Sequence, residues 1–157
     1  MQIRDCMSGA VITIAPEESA ALAARLLTRH NLGALPVCGY DGRLRGIVTD
    51  RDIVTRCVAV DQDPSRVPVA DIMSRDPETV APADDPKVAA ARMSAHQVRR
   101  LPVVEEGKLV GMISLGDLAR NRKLDMEAAA ALSEISTNVK SRRRGSAPDP
   151  ASLLHSV

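Results

Sequence analysis

A hydroxyl residue followed three positions later by an aspartate occurs twice in this 157-residue sequence, each time after a glycine and two aliphatic residues. The first copy, "GIVTDRDI", contains Thr49 and Asp52, and the second, "GMISLGDL", contains Ser114 and Asp117. This spacing is typical of a capping box, which needs no ligand. It also suits ligand binding, because a helix N-terminus offers free amides to a phosphate and a carboxylate accepts ribose hydroxyls. The spacing leaves both interpretations open.

A bound phosphate also needs a cation near the helix start, and only the second copy has one. Arg99 and Arg100 directly precede the predicted strand "LPVV", which should lie beside that helix start. The first copy carries Gly33 and Ala34 at the corresponding positions. The alternative is that the arginines form a solvated helix end. In either case the two copies are not equivalent.

The two motifs belong to an internal duplication that covers most of the chain. With a shift of 66, twelve of the positions from 5 to 37 are identical in both copies, including the pair His30 and His96. Unrelated sequences would share about two or three of these positions. After the loss of one residue in a turn, the identities continue with a shift of 65 as far as Asp52 and Asp117.

Each copy predicts the element order β-α-β-β-α. Ser19 and Asp85 are favourable N-caps for the first helix of each copy, and an Asp-Gly or Glu-Gly pair predicts a hairpin turn. A unit of about 60 residues buries little surface by itself. We therefore expect an α/β (α+β) fold in which the two repeats pack sheet to sheet as a pseudo-twofold disc, with a cleft on each side.

Changes in the sequence pattern predict the domain boundaries. The segment after position 122 is first rich in alanine and then basic and rich in proline, which predicts a helix followed by disorder. The expected divisions are repeat 1 at 1–57, a linker at 58–70, repeat 2 at 71–122, a C-terminal helix at 123–139 and a disordered tail at 140–157.

Composition narrows the classes of function. Aromatic residues make up 1% of the chain and the formal net charge is +1, which disfavours base stacking and nucleic-acid binding. No apolar leader or membrane-length segment is evident, so we expect a cytoplasmic protein. Three scattered cysteines predict neither a disulfide framework nor a metal site. No nucleophile with a matching base can be named, so we do not expect an enzyme.

Several longer segments resemble the CBS domain, the regulatory repeat named after cystathionine β-synthase. They are "DIMSRDPETVAP", "HQVRRLPVVEEGKLVGMIS" and "SLGDL", with the counterparts "DCMSGAVITIAP" and "HNLGALPVCGYDGRLRGIVTDRDIV". The resemblance covers about residues 2–122. It implies a Bateman module, a pair of repeats that binds adenosine ligands in its clefts, often forms a homodimer and acts in regulation, including stress responses.

The resemblance also implies which residues bind. The boxes would hold ribose and phosphate oxygens, Arg99 would meet the phosphate ahead of Arg100, and aliphatic groups would enclose the base. The implied set is Thr49, Asp52, Ser114, Asp117, Arg99, Arg100, Ile47, Met112, Ala10, Asp76, Leu32 and Val98. The implied ligands are AMP, ADP or ATP, ahead of NAD and S-adenosylmethionine, with no required cofactor.

Two other functions compete with a ligand sensor. The chain could be a structural or interaction dimer whose aspartates are only helix caps and which binds a protein partner but no nucleotide. It could also bind nucleic acid through the basic residues between 140 and 144, although no aromatic residues accompany them. Stabilisation by a nucleotide would distinguish the sensor from both.

Overall fold

The computed structural model describes residues 1–121 and 124–145. Its elements form two similar halves and a C-terminal helix. The first half contains α1 (Ala20–His30), β1 (Ala34–Cys38), β2 (Leu44–Thr49) and α2 (Asp50–Ile53), which a π-helical turn (Val54–Val58) continues. The second half contains α3 (Val69–Ile72), β3 (Ser74–Arg75), α4 (Pro86–His96), β4 (Arg100–Glu105), β5 (Lys108–Ser114) and α5 (Leu115–Ala119), and α6 (Asp125–Gly145) follows it.

The predicted N-caps start the first helix of each repeat. The Ser19 hydroxyl accepts a hydrogen bond from the Leu22 amide at 3.1 Å, and the Asp85 carboxylate accepts one from the Lys87 amide at 2.9 Å. Each bond satisfies an amide that has no partner within the helix. The helix starts predicted at these two positions are therefore confirmed.

The sheets consist mainly of the two predicted hairpins, β1–β2 and β4–β5, whose strands run antiparallel. The first predicted strand of each repeat is reduced to one parallel bridge, Ile14 with Val37 and Val80 with Val103. The hairpins also bond to each other at their turns, because the Leu44 amide donates to the Gly107 carbonyl at 3.2 Å. The equivalent bond from Leu109 to Gly42 is 3.1 Å long, which confirms the pseudo-twofold relation.

The opening segment of each repeat packs on the other repeat. Ile3 is fully buried in the core of repeat 2, and its amide donates to the Asp84 carbonyl at 2.9 Å. Val69 is fully buried in the core of repeat 1, and its amide donates to the Glu18 carbonyl at 2.7 Å. The following residues extend the sheets, since Ser8 bridges to β5 and β3 pairs with β2. This exchange brings residues of both repeats to each inter-repeat cleft.

Helix α6 packs on α4 and α5 of repeat 2, where it buries Ala128, Ala131 and Ile135. It extends six residues past the predicted end at position 139, because the lysine and arginines that follow have high helix propensity. The rest of the predicted disordered tail, 146–157, lies outside the described residues. In the described ranges, no helix has the length and hydropathy needed to span a membrane.

Candidate functional site

Both predicted capping boxes form. The Thr49 hydroxyl accepts the Asp52 amide at 3.0 Å, and Asp52 Oδ2 accepts the Thr49 amide at 2.9 Å. In the second repeat the corresponding distances between Ser114 and Asp117 are 3.1 Å and 2.8 Å. Each aspartate therefore uses one carboxylate oxygen, Oδ2, to fix the start of α2 or α5.

The glycine ahead of each box allows the exchanged segment to approach. A Cβ atom at Gly111 would lie 2.6 Å from the Met7 sulfur and 2.8 Å from the Ser8 carbonyl oxygen. A Cβ atom at Gly46 would lie 2.5 Å from the Ser74 carbonyl oxygen. Only glycine avoids these overlaps, because a glycine within a strand permits the close approach of another backbone. At Gly111 this contact holds the opening segment against β5 and so positions one wall of the site.

A cavity of about 450 Å³ opens between the repeats beside the second capping box. This volume lies within the range of small-molecule sites, and most of the side chains around it are apolar. The lining residues are Ser8, Ala10, Val11, Ile12, His30, Leu32, Ala34 and Pro36 from repeat 1, with Arg100, Met112, Ser114 and Asp117 from repeat 2.

The cavity brings together half of the residues predicted from the sequence. Those that line it are Ala10, Leu32, Arg100, Met112, Ser114 and Asp117. Those that do not line it are Thr49, Asp52, Ile47, Asp76, Val98 and Arg99. Of these, Thr49 and Asp52 form the first capping box, and Asp76 lines a separate cavity of about 290 Å³ with Arg43 and Arg45.

Of the two adjacent arginines, it is Arg100 that lines the cavity. It lies directly opposite Ser114 in the register of β4 and β5. The neighbouring Arg99 contributes its carbonyl oxygen, which accepts the Leu115 amide at 2.8 Å. Among the described residues, the Arg100 guanidinium has no hydrogen bond or ion pair. It is thus a cation at the cavity without an internal partner.

His30 is a polar cavity residue that the sequence did not predict as a binding group. Its place at the end of α1 suggests a helix-capping or packing role, because a helix C-terminus favours a protonated imidazole. The signal that could have revealed it is the repeated histidine at shift 66. The missed residues Ser8, Val11 and Ile12 reach the cavity through the exchange of opening segments, which pattern analysis does not reveal.

The second carboxylate oxygen of Asp117, Oδ1, has only a weak ion pair among the described residues. This oxygen lies 3.5 Å from Nη1 of Arg120, whose side chain is 80% exposed, and an exposed pair of this kind contributes little. Burial raises the pKa of the nearby Cys6 thiol, and the charges of Asp117 and Asp5 raise it further. Cys6 therefore stays protonated at neutral pH and adds no charge.

Within residues 1–121 and 124–145, no three or more His, Cys, Asp and Glu side chains are grouped so that they could hold a metal ion.

The fold and the cavity define a pair of β-α-β-β-α repeats that share an inter-repeat cleft. The sequence profile of the CBS domain matches the chain twice, at residues 3–59 and 69–123. The chain belongs to the CBS-domain family.

Curated relatives and solved structures agree with this assignment. The CBS domain-containing protein YhcV of Bacillus subtilis is 40% identical over 134 residues, which cover 85% of this chain and 94% of YhcV. The structure of Hypoxic Response Protein I with two coordinated zinc ions has a TM-score of 0.72 and 36% identity, covering 77% of this chain and 98% of that one. The structure of the CBS domain protein PAE2072 from Pyrobaculum aerophilum, complexed with AMP, has a TM-score of 0.72 and 28% identity. The match covers 83% of this chain and 99% of PAE2072.

Proposed function

We propose that this chain is a regulatory CBS pair that binds an adenosine-type ligand, with AMP, ADP or ATP as the leading candidates, in the cavity beside Asp117. The observation that carries the proposal is the combination of groups around one cavity. A capping-box carboxylate, an arginine without an internal partner and aliphatic walls lie together there. The complex of PAE2072 with AMP supports the ligand class.

Each part of the ligand has a matching group in the cavity. Asp117 Oδ1 would accept a hydrogen bond from a ribose hydroxyl. The Ser114 hydroxyl could donate a hydrogen bond to a ribose hydroxyl or accept one from it. The Arg100 guanidinium would bind a phosphate through charge-assisted hydrogen bonds. Leu32 and Met112 would enclose the base from the two repeats, which is consistent with a nearly aromatic-free chain.

The proposed role is regulatory and not catalytic. The Ser114 hydroxyl and Oδ2 of Asp117 both accept hydrogen bonds from backbone amides. These bonds fix the two side chains in place, which suits them to holding a ligand. The name of the mycobacterial relative Hypoxic response protein 1 supports a role in stress, and cytoplasmic adenosine metabolites are the ligands that such a sensor would report.

The test is a thermal-shift titration of the full chain with AMP, ADP, ATP, NAD and S-adenosylmethionine. A ligand that binds only the folded state stabilises it by about 2.7 kcal/mol at about 100 times its Kd. We expect a concentration-dependent rise in Tm that Asp117→Ala removes.

Asp52→Ala is the matched control. Both substitutions delete a capping-box carboxylate and lower the starting Tm through the loss of about 1 kcal/mol, but only Asp117 lines the cavity. Asp52→Ala should keep the ligand-induced shift. The absence of a shift for all five ligands would contradict the sensor and favour the interaction dimer that binds no nucleotide.

We also propose that two copies of the chain pair through the helices of repeat 1. In repeat 2, α6 covers α4, and Ser94 of α4 donates a hydrogen bond to Glu134 of α6. The equivalent residue on α1, Thr28, instead lines an open groove with Ala24, Arg25 and Arg29. Further exposed apolar groups follow α2, since Val54 is 57% exposed.

A further inference from the structure

The duplication relates three wall positions of the two inter-repeat clefts directly, and the clefts differ at two of them. A shift of 66 places Asp76 where the other cleft has Ala10, and Glu78 where it has Ile12. The third position is histidine in both, His30 and His96. Ala10, Ile12 and His30 all line the cavity beside Asp117. The exchange of two apolar groups for two carboxylates is therefore the main chemical difference between the walls.

The structure shows what Glu78 does in its own cleft. Its Oε2 lies 3.5 Å from Nε2 of His96, and its Oε1 lies 3.6 Å from Nε of Arg92. The Arg92 guanidinium also donates to the carbonyl oxygen of Thr79. Arg92 and His96 are thus both held by an internal carboxylate. Among the described residues, His30 has no carboxylate partner, because Ile12 takes the position of Glu78 in that cleft.

The walls of the two clefts have opposite consequences for the binding of an anionic nucleotide. The wall containing Ile12 offers apolar surface to a base and leaves His30 and Arg100 to face a phosphate. The wall containing Glu78 replaces that apolar surface with a carboxylate that already holds the side chains of Arg92 and His96, so neither is left to face a phosphate.

We infer that the chain binds one adenosine nucleotide, in the cleft beside Asp117, and that Glu78 closes the pseudo-equivalent cleft to anions by holding Arg92 and His96. This inference rests on the proposed function. It adds the stoichiometry and names Ile12 and Glu78 as the residues that decide which cleft is used. Thr49 and Asp52 then act as a structural capping box.

Isothermal titration calorimetry of the full chain with AMP tests the inference. The wild type should bind one AMP per chain. Ile12→Glu should weaken binding at least tenfold, because it places a carboxylate at the position that Glu78 has in the other cleft, whereas Ile12→Leu keeps an apolar side chain and should weaken binding by much less. The Asp76→Ala, Glu78→Ile double variant should bind two AMP per chain, since it restores the apolar wall and releases Arg92 and His96.

The outcomes separate the inference from the proposed function. Two AMP per wild-type chain, or one AMP per chain in the double variant, would overturn the inference and leave the proposed function standing. No AMP bound by the wild type at millimolar concentration would overturn both. Thermal melts of every variant, followed by circular dichroism, show whether a variant that fails to bind AMP is still folded. A second binding site gained by the double variant cannot be explained by unfolding.

Discussion

At the scale of single residues, the carboxylate of Asp117 serves both the fold and the proposed site. Its Oδ2 holds the Ser114 amide at 2.8 Å and fixes the first turn of α5. Within the described part of the chain, its Oδ1 has only the exposed Arg120 as an ion-pair partner, so a ribose hydroxyl can replace that contact at small cost. A capping box is therefore compatible with ligand binding, and the two interpretations of the spacing do not exclude each other.

Gly111 gives a residue-scale prediction about stability. Gly111→Ala places a methyl group within 2.8 Å of both the Met7 sulfur and the Ser8 carbonyl oxygen, and overpacking of this kind costs about 1–3 kcal/mol. For a chain of this size we expect Tm to fall by about 2–4 °C per kcal/mol. Gly33→Ala is the control, because no atom lies within 4 Å of its added Cβ. Equal melting temperatures for the two variants would show that β5 does not approach the opening segment as described.

At the scale of elements, the sequence predicts the structural features that depend on residues close together along the chain. The N-caps at Ser19 and Asp85, the hairpin turns and both capping boxes are local, and all of them form. The exchange of the opening segments depends on long-range packing, such as Ile3 in the core of repeat 2, and no periodicity encodes it. For the same reason, the choice of Arg100 over Arg99 at the cavity could not be predicted.

Helix α6 gives an element-scale prediction. Ile135 is 4% exposed on the face that packs on repeat 2, whereas Leu132 is 43% exposed. Ile135→Ala should lower the free energy of unfolding by about 2–5 kcal/mol, because it removes buried methyl groups and leaves a cavity. Leu132→Ala should lower it by much less. Urea unfolding of both variants provides the measurement, and a similar cost for the two would contradict the packing of α6.

At the scale of the whole molecule, the pseudo-twofold symmetry is broken on the helical side as well as in the clefts. Ala90 of α4 is buried where α6 packs beside it. Its counterpart Ala24 on α1 is only partly buried and borders the open groove with Thr28. A second copy presenting the same face would cover both grooves at once, because a twofold interface uses the same patch on each partner.

This arrangement predicts a dimer that depends on repeat 1 and not on α6. Multi-angle light scattering should give twice the chain mass for the wild type, and Tm should rise with protein concentration because association stabilises the folded state. Thr28→Arg should yield the single-chain mass, since it fills the groove with a long side chain and adds a third positive charge to those of Arg25 and Arg29. Leu132→Arg changes an exposed position on α6 and should leave the dimer intact. A single-chain mass for the wild type would refute pairing, whereas dissociation by Leu132→Arg alone would move the interface to α6.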